Sequence, residues 1–129
     1  MFTVHDAIAE AESILSGTPA PDPDDDPRWQ AIIRVAEFVE SDPEPLWQFA
    51  RRWSSSPDED LRDAIAACLL EHLLQFHFVT IFPRVVAAAR TDAVFADTFL
   101  RCWPFGQAEE PVNAARFDAL KVELQARAG

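Results

Sequence analysis

The side chains best suited to chemistry in this sequence lie within seven residues of one another, in an apolar stretch. They are an acid and two imidazoles, Glu71, His72 and His77. Burial in such a stretch would shift their pKa values, and a carboxylate beside an imidazole is a common pair in acid–base catalysis. Glu71 and His72 therefore define one hypothesis, a small hydrolase or ligand-binding enzyme. The competing interpretation of His72 is structural, as a core side chain that bonds to its neighbours.

The spacing of these residues does not favour a metal ion. Two histidines that share a metal on one helix are four positions apart, whereas His72 and His77 are five apart and diverge by about 140°. The cysteines, Cys68 and Cys102, lie far apart in apolar patterns without a Cys-x-x-Cys spacing, which is typical of buried thiols. Glycine occurs only at positions 17, 106 and 129, too few for a phosphate-binding loop. We expect no metal and no cofactor.

Two other groups of residues are candidates for contact with a partner protein. Trp47 lies about 100° from the apolar stripe of its predicted helix, beside Arg51, and is expected to be an exposed interface anchor. Four prolines and four aspartates occupy residues 18–27, which excludes helix and strand and predicts an exposed loop. Its candidate partner-binding residues are Asp24, Asp25 and Asp26.

The charge of the chain bears on the kind of partner. Twenty-two acidic residues and eleven basic ones give a formal net charge of −11. Such a chain is repelled by nucleic acids and by anionic membranes, whereas it attracts a basic protein. The alternative is that the excess of acid only maintains solubility.

The composition predicts a single soluble domain over residues 1–129. Apolar residues make up 49% of the chain and charged residues 26%, the ordinary globular mixture. No uninterrupted apolar run reaches about eighteen residues, and the N-terminus lacks the basic and apolar regions of a signal peptide. We therefore expect a cytoplasmic protein, while the oligomeric state is left open.

Apolar residues at helical spacing predict an all-α fold of about seven helices, with no sheet. The predicted helix starts combine a capping residue with a proline or an acid: Thr3 with Asp6, Asp26 with Pro27, Asp42 with Pro43, and Ser56 with Pro57. Starts about fifteen residues apart predict antiparallel helices with tight turns. The helix over residues 57–78 has the widest apolar arc, so we expect it to be central and Phe76 to lie in its covered half. Pro83 is expected to break the next helical pattern.

A family likeness follows from residues 46–69. Leu46 to Trp53, a short polar turn and the run Asp60, Leu61, Arg62 resemble the helical hairpin of a HEAT-type repeat. The resemblance implies stacked hairpins in an α–α superhelix. It also implies a partly buried Arg62 that bonds to an aspartate of an adjoining turn, for which Asp42 is the expected partner.

A second likeness covers residues 67–99. The run Leu69 to Leu74, with Ala88, Ala89, Asp92 and Phe95, resembles small bacterial proteins, some of which look like the immunity proteins of toxin systems. This resemblance implies a non-enzymatic interaction protein, and the net negative charge of the chain favours a basic partner for it. The enzyme that uses Glu71 and His72 is the alternative hypothesis.

Overall fold

Helices account for most of the chain that the computed structural model describes, residues 1–17 and 26–128. They are α1 (Val4–Ile14), α2 (Pro27–Ala36), α3 (Pro43–Trp53), α4 (residues 59–76), α5 (Phe78–Thr91), α6 (Ala93–Leu100) and α7 (Pro111–Ala128), with a short 3₁₀ turn at Gly106–Glu109. No strand occurs in these two ranges. The predicted all-α class and the approximate number of helices are confirmed.

Helix α4 is continuous but not uniform. It runs from Glu59–Ile65 through a π-helical turn, Ala66–Leu70, into Glu71–Phe76. At the π turn the N–H of Glu71 donates to the carbonyl of Ala66, five residues earlier. The helix packs against α2, α3, α5 and α6, so the prediction that it is central is confirmed, although it is shorter than the predicted 57–78.

The helix starts follow the local sequence closely at the first two helices. Thr3 and Asp6 form a reciprocal capping box on α1, and the side chain of Asp26 caps α2 with Pro27 in the first turn. Asp42 precedes α3 but makes no capping hydrogen bond. The cap of α4 is Asp58, whose carboxylate accepts the N–H of Leu61 at 3.2 Å, and not Ser56 as predicted.

The break between α4 and α5 depends on a distant side chain. Gln107 accepts the N–H of Phe78 at 2.9 Å and donates to the carbonyl of Phe76 at 2.8 Å. These two bonds satisfy backbone groups that a helix end leaves without partners. As a result α5 begins at Phe78 and contains Pro83, so the expected break at the proline is wrong.

The core contains a chain of phenylalanines that joins α5, α6 and α7. Phe78 stacks on Phe82 with ring centroids 4.6 Å apart, Phe82 meets Phe99 at 6.5 Å, and Phe99 meets Phe117 at 4.9 Å. Phe76 packs against this core but is only partly buried. The expectation that Phe76 lies in the fully covered half of the helix is therefore wrong.

Arginines connect the N-terminal part of α4 to its neighbours. Arg28, on α2, is buried and donates to Asp58 at 2.7 Å and to Asp60 at 2.8 Å. Arg62 is also largely buried, as the HEAT-like interpretation predicts, but it donates to Asp97 on α6 at 3.0 Å. The predicted partner, Asp42, instead accepts from the hydroxyl of Ser41. The expected Arg62–Asp42 pair is thus wrong, because the guanidinium of Arg62 reaches α6.

Candidate binding surface

An apolar groove lies between α2 and α4. It has a volume of about 430 Å³ and is lined by Ile33, Ala36, Glu37, Ala67, Cys68 and His72. Ile33 is 42% exposed, so it contributes a large aliphatic side chain to the surface of the groove. On the α4 side the groove is bordered by the π turn and by the turn that follows it. Single π turns inside α-helices are often associated with functional sites, which makes this surface the first candidate for a binding site.

The cysteine in the groove is not a nucleophile. Burial, with a smaller contribution from the nearby carboxylate of Glu71, raises the pKa of Cys68 to about 11. The thiol therefore stays protonated near neutral pH, whereas cysteine reactivity requires the thiolate. Cys102 is fully buried, and burial likewise raises its pKa.

The structure does not bring Glu71 and His72 onto one site. Glu71 is buried, and its carboxylate accepts the N–H of Trp103 at 2.8 Å, whereas His72 lines the groove. Burial raises the pKa of Glu71, against the opposing effects of the Trp103 N–H and of Lys121. His77 lies elsewhere, with Nε2 2.7 Å from the carbonyl of Val39. The geometry offers no support for a shared acid–base role.

A second exposed apolar feature adjoins the same part of α4. We call residues 102–107, which follow α6 and include the start of the 3₁₀ turn, the aromatic turn. Its side chains Trp103 and Phe105 are 69% and 46% exposed. Glu71 holds the backbone of Trp103, as described above, and Lys121 of α7 donates to the carbonyl of Cys102 at 2.5 Å. The aromatic turn therefore has a fixed backbone and exposed side chains.

Sequence analysis selected the wrong tryptophan as the exposed one. Trp47 is only 6% exposed and meets Phe95 edge-on with ring centroids 5.9 Å apart. The 100° offset from its stripe places it against α6, which the sequence of α3 alone does not reveal. The available signal for Trp103 was the following Pro104 and Gly106, which end a helix and leave the side chain in a turn.

Arg51, the other candidate on α3, has partners within the chain. Its guanidinium donates to Asp92 at 3.2 Å and to the hydroxyl of Ser55 at 2.9 Å. It also lies over the ring of Phe95, 5.1 Å from the centroid. These contacts join α3 to α6, so Arg51 has a structural role in this fold.

The aspartates of the predicted loop are only partly described. Asp24 and Asp25 lie outside the described residues. Asp26 is 1% exposed, because its carboxylate caps α2 by accepting the N–H of Arg28 at 2.9 Å. The expectation of an exposed Asp26 that contacts a partner is therefore wrong.

Most basic side chains form ion pairs with acidic side chains of the same chain. Of the eleven basic residues, all but two form ion pairs with carboxylates: Arg28, Arg34, Arg51, Arg52, Arg62, Arg84, Arg90, Arg101 and Arg127. The remaining two, Arg116 and Lys121, lie over aromatic rings. Within the described ranges, the exposed carboxylates of Glu37 and Glu40 form no ion pair. Glu37 borders the groove, so this edge of it carries unneutralised negative charge.

The described part of the chain has neither a candidate metal site nor a membrane-spanning helix. It contains no group of three or more histidine, cysteine, aspartate or glutamate side chains that could hold a metal ion. None of its helices combines the length and apolar character that a membrane span requires.

Comparison with known proteins adds no relative. No family model, curated protein or solved structure matches this chain. The likenesses to HEAT hairpins and to immunity proteins therefore stay predictions.

Proposed function

We propose that this chain is a non-enzymatic interaction module that binds a basic protein partner, as an immunity protein binds its toxin. The observation that carries the proposal is the groove between α2 and α4, an apolar surface bordered by a carboxylate without an ion pair. Apolar contact supplies affinity at such a surface, whereas charge complementarity guides encounter and selects the partner.

The surplus of negative charge supports a basic partner and not nucleic acid. Nine of the ten arginines are engaged by carboxylates of the same chain, so they are not available to phosphates. A partner that presents lysine or arginine finds Glu37 and Glu40 exposed. The two cysteines are free thiols, which supports the cytoplasm as the compartment of this interaction.

Affinity capture with charge-reversal variants tests the proposal. The immobilised wild-type chain, Glu37→Lys and Glu12→Lys are each incubated with cytoplasmic extract of the source organism at low and at moderate salt. The control, Glu12→Lys, makes the same change of charge on α1 and removes only a surface pair with Arg52, which contributes about 0.5 kcal/mol. Thermal melts of both variants verify that they are folded.

The expected result is a basic protein that the wild type and Glu12→Lys retain. Glu37→Lys should retain much less of it, and salt should weaken its retention by wild type, because exposed charges are screened. Equal retention by Glu37→Lys and the wild type would contradict the proposal, as would capture of acidic proteins only.

A further inference from the structure

We infer that the aromatic turn is the second anchor of the binding surface, and that the occupant is a basic amphipathic helix of a protein partner. The inference rests on the proposed function and specifies its partner class. It begins from position: the groove includes Ala67, Cys68 and His72 of α4, while the aromatic turn is bonded to Glu71 of the same helix. The two apolar features therefore adjoin the same short stretch of α4.

The aromatic turn is fixed from both ends. At its start, Glu71 accepts the N–H of Trp103 and Lys121 donates to the carbonyl of Cys102. At its end, Gly106 has a φ of +55°, and a Cβ there would lie 2.4 Å from Cγ of Gln75. Only glycine fits this close approach to α4 without strain. Gln107 then bonds to both sides of the break between α4 and α5.

Because their backbone is held in place, the exposed aromatic side chains are well suited to anchor a partner. Tryptophan is the residue most enriched among those that dominate binding energy at interfaces, together with tyrosine and arginine. An anchor whose backbone is already ordered loses less conformational entropy when it binds. Trp103 at 69% exposure is therefore pre-organised to be covered by an apolar side chain of a partner.

Charge complementarity selects the occupant. Glu37 and Glu40 are exposed near the groove, and Glu109 is exposed just after the aromatic turn. A partner that covers both apolar features thus meets the carboxylates of Glu37 and Glu109. The ammonium of Lys121 already lies 5.5 Å from the centroid of the Trp103 ring, which leaves this ring to the apolar residues of the partner. An amphipathic helix with an apolar stripe and flanking lysines or arginines matches this pattern, because helices of this kind bind grooves through apolar residues three and four positions apart.

A defined peptide probe tests the inference. The probe is a fluorescein-labelled helical peptide of leucine and lysine with the apolar residues on one face and no tryptophan. Anisotropy titrations compare the wild-type chain with Trp103→Ala, Glu37→Lys and Glu12→Lys. We expect Trp103→Ala and Glu37→Lys each to weaken binding by about tenfold or more, whereas Glu12→Lys should bind like the wild type.

Fluorescence reports directly on the aromatic turn. Unlabelled peptide should shift the tryptophan emission of the wild type to shorter wavelength as Trp103 is covered, and the shift should be lost in Trp103→Phe. Unchanged affinity of Trp103→Ala, with loss in Glu37→Lys, would overturn the second anchor and leave the proposed function standing. Equal binding by all four proteins, or none by the wild type, would overturn both.

Two other occupants are outcomes of the same experiment. Binding of the wild type to phosphatidylcholine vesicles through Trp103, without binding of the peptide, would replace the protein partner by a lipid surface. A concentration-dependent dimer that Trp103→Ala abolishes would replace it by a second copy of the chain. Either result overturns the inference.

Discussion

Among single residues, Arg28 does most to connect the N-terminal ends of α2 and α4. Its side chain is buried and its guanidinium contacts three carboxylates, those of Asp26, Asp58 and Asp60. The burial of Arg28 is not predictable from the sequence, because Arg28 lies at the second position of a helix, where a charged side chain is ordinarily solvated. Burial of a charge is tolerated only with such partners.

Removal of Arg28 should be costly. We expect Arg28→Ala to lower the free energy of unfolding by about 3 kcal/mol, because it leaves the buried carboxylate of Asp26 without the positive charge 3.6 Å away. Arg34→Ala, which removes an exposed pair with Glu10, should cost about 0.5 kcal/mol or less. Urea denaturation of both variants measures the difference, and equal losses would show that burial does not strengthen the Arg28 cluster.

Glu71 should make the free energy of unfolding decrease as the pH rises, whereas most acidic residues have the opposite effect. Because burial raises its pKa, its contribution to folding is complete below its unfolded pKa and is lost as the pH rises through the folded one. Glu71→Gln keeps an acceptor for the Trp103 N–H and does not titrate. We expect the variant to be at least as stable as the wild type at about pH 8, with a margin that narrows as the pH falls.

Urea denaturation of both proteins over a pH series checks this expectation. All other titrating groups are common to the two chains, so their difference isolates residue 71. A difference that does not change with pH would show that the carboxylate is as well solvated in the folded chain as in the unfolded one.

For the helices, the features that could be predicted were those determined by residues close in the sequence. The starts of α1 and α2 depend on caps a few positions away, and both were predicted correctly. The end of α4 depends on Gln107, which lies 29 residues from Phe78, and the burial of Trp47 depends on Phe95 of α6. Contacts between distant residues leave no local pattern, so neither the helix break nor the exposed tryptophan could be derived from spacing.

The break between α4 and α5 also determines whether Phe76 or Phe78 contributes more to stability. Phe78 is fully buried and stacked on Phe82, so Phe78→Ala should cost about 3 to 5 kcal/mol through the cavity it leaves. Phe76→Ala should cost clearly less, because Phe76 is partly exposed. Denaturant unfolding measures the free energy of unfolding of both variants. A larger loss for Phe76→Ala than for Phe78→Ala would contradict the burial of Phe78 in the core.

Over the whole molecule, ion pairs with aspartates should set the acid limit of stability. The hydrogen bond from Arg28 lowers the pKa of Asp58, and that from Ser55 lowers the pKa of Asp92. Burial opposes a decrease at Asp97, but the hydrogen bonds from Arg62 and Arg101 outweigh it, and its pKa is lowered. Groups of this kind stabilise the fold above their unfolded pKa, and this contribution is lost as the pH falls through the folded one.

Apart from the contribution of Glu71, the expected profile has a nearly constant stability above the ordinary aspartate pKa of 3.8 and a steep loss below it. Thermal melts followed by circular dichroism across this range provide the measurement. Asp58→Asn should make the loss of stability below this pH less steep, since it removes one of the groups that must take up a proton. An unchanged steepness would mean that Asp58 and Arg28 are not coupled in solution.

The π turn of α4 has a consequence for how the chain tolerates insertions and deletions. A π turn is an α-helix that has gained one residue, so deleting Ala67 should restore regular hydrogen bonding and leave residues 71–76 in place. Deleting His72 instead should turn Leu73 and Leu74 out of the core by about 100°. We expect the first deletion to give a cooperatively melting protein and the second to abolish the melt. Homologues of this chain, when their sequences are aligned, should therefore place a one-residue gap at the groove more readily than anywhere else in α4.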